Sequence, residues 1–568
     1  MLRLKKSVKL PSYVKKKIWL KYYPEGYPKE VKIPKNKSLP DIMIEAAKKW
    51  GDKVNLIFLG KEYTRNQLLD QSKRLAAALY KLGVKKGDVV AIYLPNSVQF
   101  IVSYFGILMA GATVTAISPL FVPREVAYQL KDSEAETIIT MDLFYNNLKQ
   151  IKDETKLKNI IVCNLKGEKL QVEKEDLDKI INFDELIQKN PPTPPKVKIK
   201  PKKDIAVLQY TGGTTGLPKG AMLTHYNVIA NAYQVKPITE TINKMFGFER
   251  TKSISVLPWY HIYGQTCEIA AGSLQDTIAI CFPHFDPAQV LDAIQNFKPN
   301  LLLAVPAILI LLMNHPKSRS VDFSGLKYLS MGAAPAPVEL FKQWQQISGN
   351  PLSEGYGLTE ASPVTHTRVA QIFGGEPGSV GPPVPNTLAG IVDPETNEFL
   401  PIGELGELVV SGPQVMKGYW RRPEETEKVF FNAGGKKWLK TGDLARMNDR
   451  GFFYIVDRTK DIIKYKGHSV YPREVEEVLY QHEAVMDAAV IGVPDPDVGE
   501  NIKAFVVLKP DFKGKVSEDD ILYWCRDHMA AYKYPREIEF LESLPKSLVG
   551  KTLRRILRER EAQKKVPA

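Results

Sequence analysis

The chain predicts an α/β protein. Its parts are a large N-terminal domain of parallel-rich sheets flanked by helices, a small barrel-like β piece, and a smaller α+β C-terminal domain. Three observations carry this. Strand-length apolar runs alternate with helix-length segments through the first two thirds of the chain, the pattern of crossover-connected sheets. Short β-runs with glycine-rich turns (IGELGELVVSG) replace that pattern from Ala389 to Val410. The charged run Asp457-Arg458-Thr459-Lys460-Asp461 then interrupts all apolar periodicity before a new unit begins. At 568 residues the chain exceeds what one hydrophobic core supports.

Residues 1–40 are basic and proline-rich and read as an irregular arm. A helix over Asp41–Lys49 leads to a strand at Val54–Phe58. A second helix, Arg65–Leu82, exits through Gly83 and Gly87. Val89 to Pro123 holds no charged residue, long enough to raise a membrane span. Pro95-Asn96, Gly106, Gly111 and Ser118-Pro119 interrupt it, so it parses better as strand Val89–Leu94, helix Ser97–Ala110 and strand Thr113–Ile117. Strands follow at Thr137–Thr140 and Ile160–Val162. The Pro/Lys excursion 190–203 delivers the chain to strand Ile205–Tyr210, and a helix is expected from near Leu223 to about Tyr233. Later strands are expected at Ser253–Leu257, Thr277–Cys281, Leu301–Val305 and Tyr328–Met331. The C-terminal unit reads as helix Arg473–Gln481, strands Ala488–Val493 and Ile502–Leu508, and helix Ser517–Met529, in a βαβ arrangement. The domain boundary falls at Lys460, giving 1–459 and 460–568.

Composition narrows the function classes. Hydrophobic residues make up 44% and charged residues 25%, as in soluble globular proteins. The net charge of +14 is spread along the chain rather than gathered into an arm or stripe, which argues against nucleic acid. A lysine/glutamate-rich surface suited to heat, weak attraction to anionic membranes, or binding of polyanionic cofactors all fit it. Cys163, Cys267, Cys281 and Cys525 form neither a C-x-x-C pair nor a disulfide framework, as expected of a cytoplasmic protein. The N-terminus lacks the apolar core of a secretory signal.

The densest chemical signal is Tyr210-Thr211-Gly212-Gly213-Thr214-Thr215-Gly216-Leu217-Pro218-Lys219-Gly220. Glycine lets backbone N–H groups turn toward an anion, and threonine adds donors. A phosphate-gripping loop is the reading. The spacing differs from a Walker A loop, because Pro218 breaks it and Gly220 follows the lysine. Other polar clusters follow predicted strands, where α/β enzymes place their sites. They are LPWYHIYG (257–264), Gly332-Ala333-Ala334-Pro335, GYGLTE (355–360), Thr441-Gly442-Asp443 and PKSLVGK (545–551). Taken singly, Glu360 could be a helix N-terminal acid, Asp443 a turn cap, Lys551 a solvated lysine and His261 a core histidine.

Together YTGGTTGLPKG, YGLTE, GELGELVVSG, TGD, DRTKDIIKYKG and PKSLVGK, in this order over about residues 40 to 560, resemble the adenylate-forming superfamily. That superfamily holds acyl-CoA synthetases, peptide-synthetase adenylation domains and beetle luciferases. LPWYHIYG, EGYGLTE and LPKSLVGKTLRR look most like its fatty-acid and aryl CoA ligases. The resemblance implies ATP, Mg²⁺ and coenzyme A as partners. Thr211, Gly212, Gly213, Thr214, Thr215, Gly216 and Lys219 would hold phosphates. Gly332, Ala333 and Ala334 would line the base pocket with Tyr356 stacked on adenine, and Glu354, Gly355 and Gly357 would belong to the same cofactor-binding set. Asp443, Ile455 and Arg458 would serve the ribose, Thr359 the α-phosphate, and Glu360 with Thr215 the metal. Lys551 would bridge carboxylate and α-phosphate. A swivel at Lys460 would then exchange it for Lys464 and Gly467 when coenzyme A arrives.

His261 would stand beside the acyl pocket in a steric or gating role. Tyr260, Gly264, Pro363 and Val364 would line that pocket, where the small residues at 264, 332 and 355 leave room for a tail. No charge in LPWYHIYG or ASPV could pair with an amino-acid ammonium. An apolar acid is therefore expected, a medium- or long-chain fatty acid before an aromatic one. A carrier-loading adenylating enzyme shares the first step, and a homodimer is left open.

Overall fold

The computed structural model describes residues 8–211, 217–375, 377–546 and 551–564. Its centre is two mostly parallel sheets. One has eight strands in the order Val364–Arg368, Leu352–Gly357, Tyr328–Met331, Leu301–Ala304, Thr251–Ser255, Thr277–Cys281, Val54–Phe58 and Lys61–Thr64. The other has seven, in the order Ile181–Asn182, Asn159–Cys163, Thr137–Met141, Val89–Tyr93, Thr113–Ala116, Ile205–Thr211 and Lys219–Thr224. Helices cover them, as the alternation of short apolar runs and amphipathic segments requires.

Local sequence explains the elements at the sheet–helix joins. The helix Arg65–Lys81 starts on a capping box: Gln67 N–H donates to the Thr64 hydroxyl (3.3 Å) and Thr64 N–H to the Gln67 side chain (2.8 Å). The charge-free stretch folds as the buried strand–helix–strand unit its breakers implied. Its helix, Val98–Met109, has twelve residues, all buried. Among the described residues no helix is long and apolar enough to cross a membrane. Gly106 lets that helix approach Arg65–Lys81 closely, since a Cβ there would stand 2.9 Å from the Leu75 side chain.

Four expectations need correction. The segment after the Gly/Thr loop is first a strand, Lys219–Thr224, paired antiparallel with Ile205–Thr211. Only then does the helix run, His225–Phe246, capped by Thr224 and passing Pro237 without ending. Gly355–Gly357 lies within a strand rather than a loop. Thr441–Asp443 sits inside the long strand Lys436–Met447, at a register shift where Gly442 takes φ +76°. In the C-terminal unit, Val485–Asp495 and Gly499–Leu508 pair directly as an antiparallel hairpin, and the parallel partner of the second strand is the later Glu537–Phe540.

The barrel-like piece is a curled five-stranded antiparallel sheet spanning 388–458, longer than the composition shift suggested. The N-terminal arm is irregular but anchored. Trp19 is 1% exposed, the Tyr23 hydroxyl donates to the Pro383 carbonyl, and Val31 N–H donates to Asn386 Oδ1 (2.8 Å).

Gly106→Val should lower stability by about 1–3 kcal/mol through overpacking against Leu75. The check is a fall in the urea midpoint, with Gly272→Val, where a Cβ meets its nearest atom at 3.4 Å, as the milder comparison.

Candidate active site

A cavity of about 1610 Å³ opens where the carboxyl ends of the eight-stranded sheet meet the curled sheet and the C-terminal domain. It is larger than the usual small-ligand pocket. The strand Leu352–Gly357 brings Gly355, Tyr356 and Gly357 to its wall, and the following turn brings Thr359 and Glu360. Thr211 and Lys219 come from the two strands flanking the Gly/Thr loop; Gly212, Gly213, Thr214, Thr215 and Gly216 lie outside the described residues. Gly332 and Ala333 follow Tyr328–Met331. Asp443 and Arg458 come from paired strands, and Lys551 from the C-terminal domain.

Two hydrogen-bonded clusters organise this end. Asp443 is the centre of the first. The Tyr356 hydroxyl donates to Asp443 Oδ2 (2.6 Å), and Arg458 Nε stands 3.3 Å from Oδ1. The bulge at Gly442 turns that carboxylate into the cavity, with Thr441 tied to the Leu408 carbonyl (2.8 Å). Lys551 shares this neighbourhood. Burial pushes its ammonium down to about 8, Arg458 adds to the shift, and Asp443 opposes it. Glu360 is the centre of the second cluster. Its Oε1 accepts from the Tyr419 hydroxyl (2.7 Å), and Lys219 Nζ lies 5.3 Å from the Tyr419 ring centroid. Sequence reasoning missed Tyr419, although the aromatic pair in KGYWRRP was a visible signal.

Glu360 suits Mg²⁺, because one carboxylate with a free oxygen in a phosphate site is how that ion is held. Among the described residues no group of three or more His, Cys, Asp or Glu could cage a metal without such help.

The acyl side is built by strand alternation. Leu301 and Leu303 on one strand and Tyr328 and Ser330 on the next share a face of the sheet. Ser253 and Ala279 continue that face on the other side, and Thr251 and Thr277 extend it two residues deeper. Val235, Ile238 and the π-helix Gly264–Ala270 form the opposite wall. Tyr260, His261, Pro363 and Val364 stand at the junction with the nucleotide end. His261 is half-buried, desolvation pushes its imidazole down to about 4, and its Nδ1 accepts from Tyr263 N–H (3.2 Å). It is neutral at physiological pH, which fits a steric part.

Several predicted residues stand off the cavity wall. Gly264 leaves no room for a tail: a Cβ there would lie 2.6 Å from the Pro258 carbonyl oxygen, so this glycine permits backbone packing. At Gly355 a Cβ would meet nothing nearer than 3.8 Å, so that position does leave space. Ala334 lies beyond the wall. Glu354 is buried beneath it, its carboxyl pushed up to about 7 by desolvation against the pull of Arg473 and Arg368. The Ile455 carbonyl accepts from Arg473 Nη1 (2.8 Å). Lys464 and Gly467 belong to the turn Ile463–Val470 of the C-terminal domain, away from the cavity.

A protein-family profile described as AMP-binding enzyme matches residues 43–420, and one described as AMP-binding enzyme C-terminal domain matches 474–551. The chain is 40% identical to a long-chain-fatty-acid–CoA ligase of Bacillus subtilis (strain 168), over 96% of this chain and 98% of that protein. Among solved structures it superposes on a long-chain-fatty-acid–CoA ligase (FadD1) from Archaeoglobus fulgidus with TM-score 0.68 and 29% identity, covering 91% and 99% of the two chains. ATP-bound MatB from Rhodopseudomonas palustris gives TM-score 0.80 at 26% identity, covering 92% and 99%, against 0.70 for the same protein without ligand. With the nucleotide-end geometry and both family matches in one chain, this protein belongs to the AMP-binding, adenylate-forming superfamily as an acyl-CoA ligase.

Proposed function

We propose that the chain activates a medium- or long-chain fatty acid as its acyl-adenylate and passes the acyl group to coenzyme A. The observation that carries the substrate class is the sheet-face tunnel joined to the Asp443–Tyr356–Lys551 end. From Gly332 to the level of Thr251 and Thr277 is six residues of strand. At about 3.3 Å per residue that is roughly 20 Å. An extended alkyl chain, advancing about 1.3 Å per carbon for C–C bonds near 1.5 Å, would fill it with about 16 carbons.

In the first step a carboxylate oxygen attacks the α-phosphorus of ATP, the P–O bond to the β-phosphate breaks, and pyrophosphate leaves. A carboxylate is ionised well below neutral pH and needs no general base. The barrier is charge crowding, which Lys551 would relieve by bridging the two anions. Asp443 and Arg458 would hold the ribose, Tyr356 the adenine, Thr359 the α-phosphate, and Lys219 with the threonines of the loop the leaving pyrophosphate. Mg²⁺ held by Glu360 would supply charge neutralisation there. In the second step the thiolate of coenzyme A attacks the acyl carbon and AMP leaves.

The two steps need different neighbours at one cavity. We assign residues 1–459 and 460–568 to two bodies that swivel at Lys460, bringing Lys464 and Gly467 in as Lys551 withdraws. The higher score against ATP-bound than unliganded MatB supports reading the present orientation as the adenylate-forming one.

ATP–pyrophosphate exchange should occur with saturated fatty acids, peak near palmitate, and fall for benzoate and cinnamate. No exchange with any carboxylic acid would refute the reading, and a maximum at the aromatic acids would reassign the substrate. Lys551→Ala should lower adenylation by about 10²–10³-fold, while conversion of supplied acyl-AMP and coenzyme A to thioester persists. Equal loss of both half-reactions in a folded variant would remove Lys551 from step one. Because Lys551 loses its proton near pH 8, kcat/KM for ATP in the free enzyme should fall as pH rises through about 8. Lys551→Arg, which keeps its charge, should carry that limb to higher pH.

A further inference from the structure

The deep end of the tunnel is not built for a methyl group. Arg65, the first residue of the helix Arg65–Lys81, lines it and is 4% exposed. Its Nη2 donates to the carbonyls of Gln275 (2.6 Å) and Gly272 (3.2 Å) and reaches the Thr277 hydroxyl at 3.4 Å. Its Nε–H is buried with no acceptor among the described residues. Carbonyl capping therefore accounts for one of the three guanidinium nitrogens, the guanidinium carbon stands 5.3 Å from the Trp50 ring centroid, and Asp276 acts on the cation through space without a direct bond. The nearby acid, Asp276, is taken by Lys53 (2.7 Å) and Arg250 (2.7 Å).

The surroundings repeat the theme. Thr251, Ser253 and Thr277 supply hydroxyls on the sheet face, and Thr239 and Gln275 face them from the helical side, joined by a 2.6 Å hydrogen bond. Thr251 and Thr277 are 2% and 8% exposed, while Thr239 and Gln275 are half-buried. Arg65 and Arg250 against Asp276 leave one positive charge in excess there, Lys53 being 53% exposed. A buried guanidinium without a counter-ion is costly, and an anion arriving with the substrate removes that cost.

We infer that the tunnel ends in an anion-recognising subsite centred on Arg65, which selects acids carrying a second, terminal carboxylate about 16 carbons from the one activated. This rests on the acid-activating reading above and narrows it. The substrate class is the long-chain α,ω-dicarboxylic acids. One carboxylate meets ATP, and the other meets the guanidinium of Arg65 and the Thr251 hydroxyl, which accepts from Asn243 Nδ2 (2.9 Å) and keeps its own proton to donate, whereas the Thr277 hydroxyl donates to the Gly272 carbonyl (3.1 Å).

The test uses the full-length enzyme and ATP–pyrophosphate exchange. Saturated monocarboxylic acids, their α,ω-dioic counterparts and ω-hydroxy acids of about 10 to about 18 carbons bracket the estimated length. The wild-type kcat/KM for the dioic acid nearest 16 carbons should exceed that for the equal-length monocarboxylic acid by about 10- to 100-fold, the worth of one charge-assisted hydrogen bond. Arg65→Met should abolish or invert that ratio while exchange with the monocarboxylic acid is kept, and Arg65→Lys should retain part of it. Thermal stabilisation by the dioic acid alone, lost in Arg65→Met, gives a readout independent of turnover.

Exchange with monocarboxylic acids but a ratio at or below one in the wild type would overturn the subsite and leave the ligase reading standing. A stronger preference for the ω-hydroxy acid would overturn its anionic character. No exchange with any acid would overturn both. The wild-type end-group series needs no variant to fold.

Discussion

The structure turns on holding a half-buried lysine beside Asp443 and Arg458 from the C-terminal part of the chain. Lys551 reaches the cavity from the C-terminal side, so its position depends on the seam between the two parts of the chain. That seam is polar. Arg473 donates from its backbone N–H to Asp457 Oδ2 (2.9 Å) and from Nη1 to the Ile455 carbonyl (2.8 Å). Val338 N–H donates to Glu477 Oε2 (3.2 Å). Arg554, three residues after Lys551, is held within the C-terminal part by both carboxylate oxygens of Glu476 at 2.7 Å and by Asp461 at 3.4 Å, and reaches across the seam to Asp457 at 3.8 Å. Interfaces of directional contacts around charged groups release more readily than apolar ones. Glu354 and Glu477 are both pushed up by burial around Arg473 in this orientation, so the closed seam already holds two carboxyls away from their preferred ionisation. Swivelling would restore their hydration.

The acyl side shows the opposite economy. Its shape comes from the period-two geometry of parallel strands, which places one set of alternate side chains along a straight wall. The register is fixed by backbone pairing such as Leu301 with Tyr328 and Ser253 with Leu301. A wall made this way lies within the N-terminal sheets and does not depend on where the C-terminal part sits. The proposed exchange of partners at the Asp443 end would therefore leave the register of the proposed acyl wall unchanged.

Much of this was legible in the sequence. Val54–Phe58, Thr277–Cys281 and Tyr328–Met331 occur as read, because short β-branched and aliphatic runs between turn residues carry their own signal. The motif residues that gather at the cavity, Tyr356, Glu360, Asp443 and Lys551 among them, were named from order and spacing. What escaped was tertiary. Lys219–Thr224 is a strand because Ile205–Thr211 pairs with it, and nothing local opposed a helix there. Gly264 read as spare volume, whereas the Pro258 carbonyl fills the place of its missing Cβ. Tyr419 and Arg65 act through partners more than fifty residues distant in the chain, which no local window of sequence contains.

Two buried ionisable groups on the tunnel wall separate structural polarity from a recognition site. Glu268 projects from the π-helix. Its Oε2 accepts from Trp259 Nε1 (2.7 Å) and from the Ser255 hydroxyl, which holds the strand end and the Trp259–His261 loop together. Burial pushes its carboxyl up to about 8, so at neutral pH it is an uncharged acid and its remaining oxygen costs only one unmade hydrogen bond. Arg65 has no such escape. Burial lowers it only to about 10, and a guanidinium stays charged at any physiological pH. A carboxyl in an apolar wall can shed its charge and become part of the scaffold; an arginine there keeps its charge, which only an anion compensates. That asymmetry, rather than polarity as such, marks the floor of the tunnel as the place where a substrate's far end is read.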